Sequence, residues 1–224
     1  MERTLAIDEA SFGKDHPKVA TRLNNLALLY RETNRLSEAE PLYERALAID
    51  EANLGKDHPK VATRLNNLAG LYRDTNRLKE AEPMYKRALA IDEASYGKDH
   101  PEVATDLNNL AELYRDTNRL KEAEPLYKRA LAIDEASYGK DHPNVATALN
   151  NLAGLYRDTN RLAEAEPMYK RVLEIFIEFT RRTGHQHPHL MVVFDNYSGL
   201  LVEMGDSQDQ ARAKVIAMAP EMFE

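Results

Sequence analysis

The chain has 224 residues, 43% hydrophobic and 30% charged, with nine Gly and ten Pro. This composition excludes collagen-like and low-complexity classes and, at this length, allows a folded core. The absence of Cys removes disulfides, thiolate metal sites and cysteine nucleophiles, and a net charge of −7 argues against nucleic acid or an anionic membrane as the main partner, since both need a concentrated basic face.

Residues 1–15 begin Met-Glu-Arg-Thr-Leu and carry the acidic pair Asp8-Glu9, unlike a signal peptide. No apolar run in the chain approaches the roughly 18 residues of a membrane span, so a cytoplasmic location is expected. Leu5 to Ala10 match Leu47 to Ala52, the end of a later helix. The segment therefore reads as the second helix of an incomplete unit, either a half-unit cap or the result of a cut in a longer protein. The C-terminus, by contrast, reads as genuine.

His-Pro falls at residues 16, 58, 100 and 142, a spacing of 42, and returns at 187. A repeat of this kind sets the architecture. In the first full unit, 16–57, a helix is predicted from His16-Pro17 to about Thr33, with Asp15 or His16 as cap and Pro at the start, where it costs no bond. Val19, Leu23, Leu26, Ala27 and Tyr30 follow helical spacing. A short Asn-Arg turn precedes a second helix from about Leu36 to Leu54, which Gly55 stops. Pro41, Pro83, Pro125 and Pro167 fall inside these second helices and are expected to bend them or delay their start.

Units 58–99 and 100–141 differ at only four of 42 positions. Unit 142–186 gains three residues, with an extended second helix through Val172 to Phe179. Residues 187–224 form a degenerate capping unit, with Phe194, Tyr197, Ser198 and Leu201 at the core positions, a short second helix from about Ser207 to Met218, and Pro220 closing the chain.

Leu23, Leu26, Ala27 and Tyr30, followed by Ala39, Tyr43 and Ala46, resemble the tetratricopeptide repeat in order and spacing. The 42-residue length and the string Leu-Asn-Asn-Leu-Ala-x-Leu-Tyr are similar to the repeats of kinesin light chain and its bacterial relatives. The resemblance implies an all-α fold, an alpha-alpha superhelix or solenoid of helix-turn-helix repeats. It also implies a protein-protein interaction scaffold that binds an extended peptide segment on its concave wall.

No phosphate loop, His-Glu-x-x-His or Gly-x-Ser-x-Gly is present, and neither catalysis nor a cofactor is expected. Carboxylate pairs such as Asp50-Glu51 and Glu38 with Glu40 recur on the same helix and are read as a solvated outer face. The repeated His16, His58, His100 and His142 are expected to cap helices, because packed helices hold them too far apart to share an ion. His185, His187 and His189 are the sharpest metal candidate, weakened by the lack of a carboxylate within the cluster.

At 100° per residue, Thr21, Asn24, Leu28 and Arg31 share one stripe of the first helix, away from the core. The stripe continues as Thr63, Asn66, Gly70 and Arg73; Thr105, Asn108, Glu112 and Arg115; and Thr147, Asn150, Gly154 and Arg157. In the resemblance, the first Asn lies on the peptide-binding wall. Its amide offers donors and an acceptor to an extended backbone, and the Arg row suits peptide carboxylates. The alternative is that Asn bonds neighbouring helices and Arg pairs with Glu32, Asp74, Asp116 and Asp158. Gly70 and Gly154 each cost about 1 kcal/mol relative to Ala, which implies that room or close helix approach is wanted there. An adjacent row, Lys18 and Arg22, Lys60 and Arg64, Glu102 and Asp106, Asn144 and Ala148, changes sign along the array and is a second place for specificity. A structural role, as a spacer or through end-to-end self-association, is the rival to peptide binding.

Overall fold

A computed structural model describes residues 2–222. Among the described residues there is no strand. The helices are α1 (Glu2–Phe12), α2 (Pro17–Glu32), α3 (Leu36–Leu54), α4 (Pro59–Asp74), α5 (Leu78–Tyr96) and α6 (Pro101–Asp116). They continue as α7 (Leu120–Tyr138), α8 (Pro143–Asp158), α9 (Leu162–Thr183), α10 (Leu190–Glu203) and α11 (Gln208–Ile216), and a 3-10 turn covers Pro220–Met222. The chain forms two compact units, Met1–Leu113 and Tyr114–Glu224.

The repeated sequence words each have a local physical task. His16 Nδ1 accepts a hydrogen bond from the backbone N–H of Lys18 at 3.1 Å, and His58, His100 and His142 do the same two residues downstream. Each satisfies an N–H that the first turn of a helix leaves without a partner. The rings of Phe12, Tyr96 and Tyr138 stack on the histidine four residues later, at centroid separations of 4.6 to 5.1 Å. In Thr33-Asn34-Arg35-Leu36, Thr33 Oγ1 donates to the Leu29 carbonyl at 2.8 Å and Asn34 takes a left-handed φ of 58°. Asn tolerates that conformation better than other non-Gly residues. Arg35 then lays its guanidinium 3.8 Å from the centre of the Tyr30 ring and grips Glu38 through two N–H groups. The same turn recurs at Asn76, Asn118 and Asn160.

The second helices start at Leu36, Leu78, Leu120 and Leu162 and run through their prolines, so of the two effects expected of Pro41 a delayed start of α3 does not occur. In the last repeat the first helix starts at Leu190, two residues beyond Pro188, because His187 stacks on Phe176 at 3.9 Å and holds the N–H of His189 on its Nδ1.

Within unit one, α2 packs on α3 and α4 on α5, and α2 also packs on α1 and α4 on α3, the second helices that precede them. Val19, Ala20, Leu23, Ala46 and Ile49 form one buried cluster, flanked by Leu5 of α1. Val61, Ala62, Leu65, Ala88 and Ile91 repeat it, with Leu47 of α3 in the place of Leu5. Each fully buried Val, Leu or Ile contributes roughly 1.5–3 kcal/mol, so the core is distributed between neighbours. In unit two, α7 packs on α8, α8 on α9, α9 on α10 and α10 on α11. Ser207 and Gln210 form a reciprocal capping box at the start of α11, which ends at Ile216, two residues before the expected Met218.

Candidate functional site

In unit one the predicted stripe gathers around a recess of about 350 Å³. Thr63, Asn66, Gly70 and Arg73 of α4 and Thr105 and Glu112 of α6 line it, with Asp92 of α5 and Glu102 of α6. In unit two, Thr147 and Asn150 border a smaller recess of about 200 Å³, whose other walls include Val172, Phe176 and Val193. Gly154 is buried in α8 and does not line it.

The arginines of the stripe are held by carboxylates of the following repeat. Arg31 Nε donates to Asp74 at 2.5 Å, Arg73 to Glu112, Arg115 to Asp158, and Arg157 to both oxygens of Glu203 at 2.9 and 3.0 Å. The internal glycines make room for these side chains. A Cβ on Gly70 would come within 2.8 Å of Arg31 Nη1, and one on Gly154 within 3.1 Å of Arg115 Nη1. Where the chain has Glu112 at this position, the preceding arginine bonds to the glutamate itself.

The asparagines are divided between scaffold and surface. Asn24 is buried and accepts from Asn67 Nδ2 at 2.8 Å; Asn150 accepts from Asn196 Nδ2 at 3.3 Å. Asn66 donates to Asp106, whereas Asn66 Oδ1 and Asn108 Oδ1 are buried atoms without a hydrogen-bond donor. Thr63 and Thr105 return their hydroxyls to the carbonyls of Pro59 and Pro101 at 3.4 Å.

Sequence reasoning missed an aspartate on the second helix. Asp50 is buried, contrary to the solvated outer face expected for Asp50-Glu51, and accepts from Arg64 Nε at 2.8 Å. The sequence carried the signal: Asp50 lies four residues after Ala46 and seven after Tyr43, on the same helical face. Glu51 accepts from Arg87, Glu40 from Arg77 and the exposed Glu38 from Arg35, so the carboxylates expected on a solvated face are tied into ion pairs.

The partner of this aspartate changes from repeat to repeat. Asp8 faces Arg22 at 2.7 Å and Asp50 faces Arg64, but the next pair is Asp92 with Asp106. Burial, reinforced by Glu102, pushes Asp92 up to about 6. Burial pushes Asp106 up to about 7, against the stabilising hydrogen bond from Asn66. The corresponding positions in unit two are Asp134, raised to about 6 by burial, and Ala148; then Phe176 and Val193, both buried.

His187 is occupied by stacking on Phe176 and Phe179, and among the described residues no group of three or more His, Asp or Glu is arranged to hold a metal ion. None of the described helices is long and apolar enough to cross a membrane.

The family model described as tetratricopeptide repeat matches residues 1–52, 38–94, 61–136 and 116–178. Among solved structures, BtubC (BKLC) from P. vanneervenii is 25% identical, covering 98% of this chain and 85% of that one, with a TM-score of 0.76. Nearly identical TPR-like repeats of a Podosopora anserina kinesin light chain candidate align at 23% identity, covering 91% of this chain and 98% of that one, with a TM-score of 0.72. A single-substitution variant of those repeats aligns at 22% over 92% and 97%, with a TM-score of 0.74. A search of the curated proteins found none that matches.

Proposed function

Because the chain belongs to the tetratricopeptide repeat family, whose scaffolds generally mediate protein-protein interaction, we propose that it holds an extended segment of a partner protein along the first helices of successive repeats. The observation that carries this reading is the recess in unit one, where seven residues of the predicted stripe, Arg31 among them, converge with buried acceptor atoms that lack donors. Such atoms favour a ligand that brings hydrogen-bond donors, as an extended backbone does. The arginines contribute walls and charge while remaining tied to carboxylates of this chain, so the scaffold acts by holding, with no chemistry of its own.

Random dodecapeptides displayed on phage and selected against the full chain test the reading. Selected peptides are expected to bind at least about tenfold more weakly to the folded double variant Asn66→Ala/Asn108→Ala. Equal affinity would locate binding elsewhere.

A second reading rests on α1. Ile7 is 55% exposed although its repeat equivalent Ile49 is 4% exposed, and Phe12 is exposed beside it. This apolar edge suits end-to-end self-association. Light scattering over a range of concentrations is expected to show a mass that rises with concentration and falls in Ile7→Lys; a constant monomer mass removes this reading.

A further inference from the structure

Units 58–99 and 100–141 differ at Lys60/Glu102, Arg64/Asp106, Gly70/Glu112 and Met84/Leu126. Three of these four differences bring a carboxylate to one place. Glu102 and Glu112 line the recess of unit one, and Asp106 pairs with Asp92 on its wall. Two of the three also remove a positive charge.

One repeat earlier, the same geometry holds an arginine: the Arg64 guanidinium is buried against Asp50. Around Asp92 the guanidinium is missing. Asp92 is 4% exposed, Asp106 1% exposed, and neither Asp92 Oδ1 nor Asp106 Oδ2 has a hydrogen-bond partner. Asn66 Oδ1 is in the same condition beside them. The two arginines at the recess do not fill the gap, since Arg31 bonds Asp74 and Arg73 bonds Glu112. Unmet acceptors within an acidic rim call for a cation that carries several donors in a fixed fork, which is the chemistry of guanidinium.

We infer that the recess is a subsite for an arginine side chain of the partner segment, its guanidinium taking against Asp92 and Asp106 the place that Arg64 takes against Asp50. The inference rests on the reading of the first-helix surface as partner-binding and adds the ligand chemistry to it. It makes the third repeat the point at which a partner segment is fixed in register.

The test uses N-acetyl-L-argininamide titrated into the full chain, with the side-chain carboxyl carbons of Asp92 and Asp106 followed by NMR. Saturable shifts of both are expected, with no shift from the uncharged N-acetyl-L-citrullinamide. Binding is expected to weaken at least about tenfold in Asp106→Asn. It should vanish in Asp106→Arg, which supplies the guanidinium from the chain itself. If Asp106→Arg does not fold by circular dichroism, Asp106→Asn decides alone. Absence of a saturable shift, equal shifts from citrulline, or undiminished binding in Asp106→Asn would overturn the inference. So would the same shifts from Mg²⁺ at equal concentration, which would assign the site to a metal ion. The probe is too short to span two repeats, so its failure leaves the first-helix reading standing, and the phage selection judges that reading separately.

Discussion

The aspartate at positions 8, 50, 92 and 134 is one residue type in four environments, and its neighbour decides what it does. Next to Arg64, Asp50 sits in a buried ion pair; truncating one partner leaves an uncompensated charge, so Arg64→Ala is expected to cost about 3 kcal/mol. The joint change Asp50→Leu/Arg64→Met should recover most of that loss in urea denaturation. Next to Asp106, Asp92 belongs to a carboxyl pair raised by burial, faced by Glu102 from α6, His100 at the turn and Asn66 from α4. Folded values above the unfolded value of 3.8 mean that the folded state binds more protons between about pH 4 and 7, so stability falls as pH rises through that window. Asp106→Asn is therefore expected to stabilise the protein by on the order of 2 kcal/mol at pH 7.5 and to be neutral at pH 4, read from urea midpoints at both pH values. The change of sign along 22, 64, 106 and 148 was visible in the sequence. The partner of these positions was legible too, through the helical phase that puts Asp50 on the face of Tyr43 and Ala46, but grouping it by charge with Glu51 hid it.

Helix boundaries were legible almost to the residue, since His-Pro starts the first helices of the four full repeats and a positive-φ Gly or Asn stands beyond the ends of α1 to α10. The exceptions have local causes: proline is tolerated at the sixth residue of α3, and the stacked His187 holds back α10. The stripe was legible as a set of positions and its ties to Asn neighbours and to Asp74 and Asp158 as an alternative, but not the register of those ties, because Arg31 reaches a residue 43 positions away. The internal glycines translate this into a prediction. Ala at either position gains up to about 1 kcal/mol of helix propensity and pushes on the flexible end of an arginine. Gly154→Ala, with its nearest contact at 3.1 Å, should raise stability by about 0.5–1 kcal/mol; Gly70→Ala, at 2.8 Å, should gain less. Thermal and urea unfolding of the two single variants measure the order.

Across the chain, the repeated lateral pairs such as Arg77 with Glu40 and Arg87 with Glu51 are partly exposed, and each contributes about 0–1 kcal/mol. They are the same at successive repeats and so cannot tell one interface from another. The residue facing the aspartate changes along the array: Arg22 and Arg64 first, then Asp106, then Ala148, and finally Val193, where Phe176 replaces the aspartate itself. A chain made of near-copies carries a hazard that an ordinary sequence does not, since a helix can dock on the wrong copy of its neighbour and still bury the same leucines. From Asp50 onward the facing residue works as an address, because a slip that brings Asp106 onto Asp50 sets carboxylate against carboxylate where the ion pair with Arg64 belongs. Asp106→Arg gives a third interface the address that Arg22 and Arg64 already share; it should reach the native state yet refold with an added slow phase or a fraction of swapped dimer, seen by stopped-flow fluorescence and size exclusion.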